Sequence, residues 1–368
     1  MGYRVLILTA AMGGGHVQVS RELARRLTDR GHEVVLADLN DLMPAGTGNW
    51  LGRFYPWLVN RAPWLYDLIY RRYFLHERAR RRVAPTVRLA LPGLRRLVGE
   101  VRPDVTVSTY HLASLCLGQL REQGTLPTPA VSFVTTFSVH GLWLHPANDA
   151  ELCISPSAAA DAERRTGRAA GVCGPVVREA FSAPRGDPAP VRDELGVPAD
   201  ARIALVVGGS FGFGSVERAV TALADDPGWF PVVVCGRNER LRQRLRRRLG
   251  RGAVLGWVED MPRLTGAADL VVENAGGLSA KEALCRGVPV VTFRPIPGHG
   301  RDDAEALARL GLTDLADDTA ELLAAARRLT TDRALRRDRI ARGQALFEQD
   351  AADLVTREAE RHTRVPAA

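Results

Sequence analysis

Twice in this chain a short apolar run breaks into a glycine-rich turn and then into a segment with helical spacing. That repeated pattern restricts the fold more than any other feature. In the first instance residues 4–9 read as a strand, Gly13-Gly14-Gly15 as the turn, and residues 16–30 as a helix with apolar positions at Val19, Leu23 and Leu27. Gly31 stops that helix, and residues 34–37 supply the next strand. In the second instance residues 203–207 form a buried strand, the turn is Gly208-Gly209-Ser210-Phe211-Gly212-Phe213-Gly214, and a helix runs to Ala224. Strand, turn, helix and strand in this order make the βαβ unit of parallel sheets. Each instance therefore predicts an α/β, Rossmann-like, doubly wound domain.

Further strands are expected at 105–108, 130–135 and 151–154 in the first half, and at 230–235, 253–257, 270–273 and 288–293 in the second. Between the halves, Pro175, Pro184, Pro188, Pro190 and Pro198 lie among Gly174, Gly186 and Gly196, a density of breakers that marks a boundary. A chain of 368 residues suits two domains. The expected division is 1–173, then 174–345, with 346–368 a C-terminal helix and tail packing back on the first domain.

Hydrophobic residues at 46% and charged residues at 25% supply two cores and exclude a disordered or fibrous chain. No window offers the roughly 18 uncharged apolar residues of a membrane span. The apolar run 5–11 leads into the glycine turn rather than a cleavage site, and Leu6 stands where N-myristoylation needs Ser or Thr. A cytoplasmic protein, peripheral on the inner face of the plasma membrane, is expected. The five cysteines are odd in number and form no CxxC pair, so they read as reduced and buried, with no metal site.

The net charge of +8 is unevenly spread. Between Trp50 and Arg96 eleven arginines face only Asp67 and Glu77, which leaves the rest of the chain near neutral. Nine of the 22 aromatics fall in the same stretch, Trp57, Trp64, Tyr66 and Phe74 among them. Arginine interleaved with Trp and Tyr, as at Arg71 and Arg72, suits an anionic membrane surface. The alternative is an aromatic core beneath a solvated charged helix. Nucleic acid has charge alone to recommend it and is not expected as a partner. The seven arginines of 240–251 read as a solvated helix face, and Lys281 is the only lysine in the chain.

Glycines before a helix let backbone approach a ligand, and the helix N-terminus favours an anion by about 0.3–1 kcal/mol. The first turn is no Walker A loop, since no Lys-Ser/Thr follows, and Gln18 spoils a GxGxxG pattern. It either caps a tight turn with His16 or presents His16 as a general base, a role neutral imidazole fills near pH 7. The second turn reads as a phosphate cradle or a flexible turn. A third block joins Gly256-Trp257-Val258-Glu259-Asp260-Met261 to Asn274-Ala275-Gly276-Gly277-Leu278-Ser279-Ala280-Lys281-Glu282. There Gly276-Gly277 opens a helix whose N–H groups suit a diphosphate. Glu282, one turn in, suits two ribose hydroxyls, or is otherwise a plain helix acid.

In this order the blocks resemble GT-B glycosyltransferases of family 28, the group of the lipid-II N-acetylglucosaminyltransferase, monogalactosyldiacylglycerol synthases and processive diacylglycerol glucosyltransferases. Residues 133–146 resemble the Thr-Asp-Phe-x-x-His-x-x-Trp segment of the glycolipid branch, with His140 and Trp143 in place. The resemblance implies two Rossmann-like domains facing a cleft, and inverting transfer of a hexose from a UDP-sugar to a lipid hydroxyl, diacylglycerol foremost. It makes His16 the base, with Gly14, Gly15, Thr136, His140 and Trp143 on the acceptor side. Ser210 and the amides of Gly276, Gly277 and Leu278 would hold the diphosphate, with Gly209, Gly212 and Ser279 also on the donor side. Glu282 would take the ribose and the backbone near Val258 the uracil, with Met261 and His299 also on the donor side, His299 standing where the family's sugar-hydroxyl partners fall. UDP-sugar is then a substrate, with no tightly bound cofactor or metal implied. Helix dipoles would stabilise the leaving diphosphate.

Two departures stand out. The family's acid is Thr136 here, with His140, His145 or Asp149 as possible stand-ins, and Pro-Gly-Gln-Glu-x-x-Asn reads Pro297-Gly298-His299-Gly300-Arg301-Asp302-Asp303. The rival readings are a transferase for a natural product or polyprenyl-linked acceptor, a UDP-N-acetylglucosamine 2-epimerase on the same fold, and a catalytically silent UDP-sugar or lipid-binding protein.

Overall fold

Both βαβ starts grow into six-stranded, wholly parallel sheets in the computed structural model, which describes every residue except 1, 12–13, 45, 49–53, 55–56, 60, 76–78, 210–211, 213 and 364–368. Two compact units result: 1–176 together with 346–368, and 177–345.

The first unit holds β1 (Arg4–Thr9), α1 (Gly14–Asp29), β2 (Glu33–Asp38), α2 (Pro63–Tyr73), α3 (Ala79–Val101), β3 (Val105–Ser108), α4 (His111–Glu122), β4 (Ala130–Val134), β5 (Ala150–Cys153), α5 (Pro156–Thr166) and β6 (Gly171–Val172). Its strand order is β2-β1-β3-β4-β5-β6. β1 pairs on one side with β2, from Arg4↔Glu33 to Thr9↔Asp38, and on the other with β3, from Val5↔Val105 to Leu8↔Ser108. Helices cover both faces of a parallel sheet, so its central strands are apolar throughout, as in the fully buried Leu6-Ile7-Leu8. One face packs on α3 and α4 through Leu91, Leu94, Leu117 and Leu120, each buried Leu contributing about 1.5–3 kcal/mol. α3 continues through Pro85 and Pro92 because its buried inner face, Val87, Ala90, Leu91, Leu94 and Val98, offsets the missing backbone bonds.

The second unit holds α6 (Ala189–Leu195), β7 (Arg202–Val207), α7 (Val216–Ala224), β8 (Trp229–Val234), α8 (Glu239–Arg248), β9 (Ala253–Leu255), α9 (Met261–Ala267), β10 (Leu270–Glu273), α10 (Leu278–Cys285), β11 (Val290–Phe293), α11 (His299–Arg309), β12 (Thr313–Ala316), α12 (Thr319–Thr331) and α13 (Arg333–Ala345). The order β9-β8-β7-β10-β11-β12 is the 3-2-1-4-5-6 arrangement of dinucleotide-binding sheets. The chain ends in α14 (Ala351–Thr363), which belongs to the first unit. In each sheet the winding reverses beside its first strand, between β1 and β3 and between β7 and β10. Open α/β sheets bind ligands at the carboxyl ends of such strands.

Candidate functional site

In the first unit the reversal point is built around His16. Asp38, ending β2, accepts the amides of Ala11 at 2.9 Å and Asn40 at 2.8 Å, which fixes the path leaving β1. α1 then carries His16 in its first turn, with Nδ1 3.0 Å from the carbonyl oxygen of Thr109, just past β3. A carbonyl only accepts, so the proton sits on Nδ1 and the lone pair on Nε2. Thr109 is itself held, its amide donating to Leu8 at 2.9 Å and its hydroxyl lying 2.7 Å from Ser20 Oγ. Ser20 also donates to the His16 carbonyl at 2.8 Å, and Thr135 Oγ1 lies 3.5 Å from Nδ1.

Around this histidine stands a cluster of rings. Tyr110 meets His16 edge-on at 5.4 Å, and the Trp143 ring lies 6.3 Å away. His111 and His140 are 5.3 Å apart, and Phe74 is within 5.3 Å of both. His140 therefore lies in this cluster. The other two stand-ins for the missing carboxylate do not. Asp149 is at the opposite end of the sheet, accepting Arg121 at 2.6 Å and the Ala130 amide at 2.8 Å. His145 is packed against Gly118 and accepts the Ala147 amide at 3.2 Å, while burial pushes its pKa below the ordinary histidine value. Thr136 turns its hydroxyl to the Ser138 carbonyl, 2.8 Å away. Tyr110 and His111 escape sequence reasoning, although they follow β3 directly at the reversal point.

The basic aromatic segment divides into two faces. Trp64 is 70% exposed, and Trp57, Leu68, Tyr73, Leu75 and Leu89 are exposed as well. Arg71 and Arg72 share the solvent side, Arg71 paired with Asp67 at 2.8 Å. Tyr66 is buried, and Phe74 packs on the core and faces His140, so these two do not reach a membrane as expected. Trp50 and Tyr55 lie outside the described residues. Among the described residues no helix is long and apolar enough to cross a membrane.

In the second unit the glycine loops after β7 and β10 meet. A side chain on Gly214 would strike that of Asn274, and Gly212 packs on the turn after β8, within 3.2 Å of the Cys235 carbonyl for an added Cβ. Gly209 is exposed, whereas Ser210, like Gly13, lies outside the described residues. Glu273, ending β10, is buried and accepts the amides of Ala275 and Gly276, both at 2.8 Å, and the Thr292 hydroxyl at 2.5 Å. Gly276 has φ +60°, and a Cβ there would come within 3.1 Å of the Ala304 nitrogen, so only glycine fits. Its amide is turned to Glu273, which removes it from the expected diphosphate donors. α10 starts after Gly277 with no side-chain cap, and its first internal bond runs from Lys281 to Gly277. The amides of Leu278, Ser279 and Ala280 thus have no acceptor within the helix.

Glu282 lies farther along α10, and burial pushes its carboxyl up to about 7, against the pull of Arg178. Arg178 also donates to the Glu259 carbonyl at 3.3 Å, so the guanidinium within electrostatic reach of Glu282 is held by the turn at 258–259. Asp260 caps α9 by accepting the Arg263 amide at 3.1 Å, and this sets Met261 at the helix start. Arg178 was missed because it sits in the Pro-rich stretch that reads as a linker. His299 opens α11, and the buried Gly300 abuts Ile296, where no side chain fits. Among the described residues no group of three or more His, Cys, Asp or Glu is arranged to hold a metal ion.

Residues 16–177 match the family model of monogalactosyldiacylglycerol (MGDG) synthase. A processive diacylglycerol beta-glucosyltransferase of Bacillus mycoides is 26% identical over 352 residues, covering 89% of this chain and 86% of the relative. Among solved structures, the glycotransferase of kitacinnamycin aligns with a TM-score of 0.64 at 20% identity, over 97% of this chain and 99% of that one. Anabaena HepE in complex with UDP-glucose aligns with a TM-score of 0.58 at 17% identity, over 99% and 100%. The family model and the curated relative bear out the resemblance to family 28, and the solved structures bear out the GT-B fold.

Proposed function

We propose that this glycosyltransferase moves a hexose from a UDP-sugar to the hydroxyl of a membrane lipid such as diacylglycerol, with inversion and with His16 as general base. The carrying observation is α10: free amides at its N-terminus and, four residues on from Leu278, a buried carboxylate within electrostatic reach of Arg178, which bonds the 258–259 turn. Four residues of helix span about 6 Å, which suits a diphosphate at the amides and ribose hydroxyls at Glu282. Val258 and Met261 then border the base, and His299 and Gly209 the sugar end. UDP-glucose bound to the HepE neighbour and the substrate of the Bacillus relative support this donor and this acceptor.

In the reaction, His16 Nε2 takes the proton of the acceptor hydroxyl as that oxygen attacks the anomeric carbon. The bond from that carbon to the diphosphate oxygen breaks, and UDP leaves with its charge facing the helix amides. The Thr109 carbonyl keeps the imidazole in the tautomer this requires and receives the hydrogen bond of the imidazolium that forms. The lipid is met by a peripheral protein, docked through Trp57, Trp64, Leu68 and the neighbouring arginines on an anionic cytoplasmic leaflet.

The test is incubation with a panel of nucleotide-sugars and diacylglycerol vesicles, with products identified by mass. Release of UDP together with a hexosyl-diacylglycerol is expected. No product and no nucleotide release across the panel would overturn the proposal.

A further inference from the structure

The chain carries fifty basic side chains, and all but one are arginine. The exception, Lys281, is buried at 6% exposure in α10, one position before Glu282. Two buried carboxylates lie within electrostatic reach of it. Glu273 pins the loop at 275–276 through its two amide bonds, and Asp303, 2% exposed, sits on α11 where the backbone packs against Gly276. These acids flank the loop that leads into the free amides of α10. Left unbalanced, two negative charges there would repel a diphosphate and undo the field that the helix N-terminus provides.

A guanidinium is a broad planar fork, whereas an ammonium is a compact charge on a flexible stem that suits a buried position near two acids. We propose that Lys281 is a positioning residue for the donor: its ammonium offsets one of the two negative charges of Glu273 and Asp303, so that the loop they hold presents its helix amides to the diphosphate. This rests on the second unit being the donor unit. Lys281 does not touch the nucleotide; it acts through the two carboxylates. Burial pushes the ammonium pKa below its ordinary value, and the Asp303 and Glu273 carboxylates oppose that shift.

Calorimetric titration with UDP and with uridine, alongside thermal midpoints, tests the inference on the full chain. K281M is expected to weaken UDP at least tenfold while uridine, which has no phosphates, changes less than twofold. In K281M/D303N, where the local net charge returns to that of the parent, UDP affinity is expected to recover to within about threefold of the parent chain. Equal UDP affinity in K281M and the parent overturns the inference, and so does an equal loss for UDP and uridine. If K281M alone does not fold, K281M/D303N decides, and a tenfold UDP loss there overturns it. A parent chain that binds uridine and UDP not at all overturns the donor reading itself, and this inference with it.

Discussion

A histidine works as a base when one nitrogen is held by an acceptor and the other is left to take the proton. The Thr109 carbonyl fixes that choice for His16, and Thr109 is in turn bonded to β1 and to Ser20. His16→Ala is expected to cut kcat by about 10²–10⁴-fold with UDP affinity unchanged, as read by steady-state turnover and calorimetry. A parallel loss of UDP binding would count against the assigned role. Glu282 carries a second prediction. Its buried carboxyl titrates at about 7, above its ordinary 4.5, so the folded chain binds more protons than the unfolded one between those values. Stability therefore falls as pH rises through that window. Glu282→Gln should stabilise the protein at pH 8, by up to about 3 kcal/mol at 1.36 kcal/mol per pKa unit, with little change near pH 4.5. The same change should weaken UDP binding at pH 8, where the carboxylate is ionised and ready to accept ribose hydroxyls. Thermal melts at both pH values and a UDP titration check it. At this scale the sequence showed His16 and Glu282 because glycine turns flagged their neighbourhood. It hid Arg178, which bonds Glu259 and acts electrostatically on Glu282 some 80 to 100 positions away, and it hid the turning of the Gly276 amide to Glu273.

Among the elements, strands were legible wherever an apolar run had both faces covered, so β1, β3 and β10 stand at their expected bounds. β12 was not read. Its Thr313-Asp314-Leu315-Ala316 carries a buried acid that only tertiary contact satisfies, Asp314 meeting Arg328 and Arg339 at 2.6 Å each. β6 has two residues, too few to show a period. α2 is the more instructive case, because sequence composition merged two opposite faces. Tyr66 and Tyr70, with Phe74 beyond the helix end, recur every fourth residue and point inward; Trp64 and Leu68 share the other face with Arg71 and Arg72. A double variant, Trp64→Ala with Leu68→Ala, is expected to lower binding to anionic vesicles at least tenfold without moving the melting midpoint. Tyr66→Ala should instead cost stability, about 3–5 kcal/mol by analogy with other buried aromatics. Flotation and thermal melts separate the two. Equal vesicle recovery for the double variant and the parent would remove α2 from the docking surface.

Across the molecule, the chain builds its first unit, then the second, and returns so that α14 completes the first. That closure is partly ionic and partly a neutral histidine. Arg30 pairs with Asp350 at 2.8 Å and Asp353 at 2.9 Å, and Arg26 with Asp350 at 3.3 Å, while Val355 and Ala359 are fully buried. Beside them, His32 Nδ1 accepts the Tyr3 amide at 3.1 Å, so its proton is on Nε2, which donates to Thr356 at 3.0 Å. One imidazole thus ties the N-terminal strand to the C-terminal helix, and only its neutral form can do so. Burial, aided by the nearby Arg30 charge and opposed by Glu360, holds its pKa below the ordinary 6.5. The unfolded chain therefore takes up this proton first. The stability His32 contributes is fully present above pH 6.5 and is lost as pH falls through the lower folded value. His32→Gln keeps an acceptor for Tyr3 and a donor for Thr356 but cannot titrate. The parent chain is expected to lose several degrees of melting midpoint between pH 7.5 and 5, and the variant to lose less, by about 2–4 °C per kcal/mol of the coupling. Thermal melts of the two proteins across that range, at fixed ionic strength so that the Arg30 pairs are screened alike, provide the comparison. Parallel midpoint curves for parent and variant would show that the closure of the first unit rests on the ion pairs and buried apolar contacts alone.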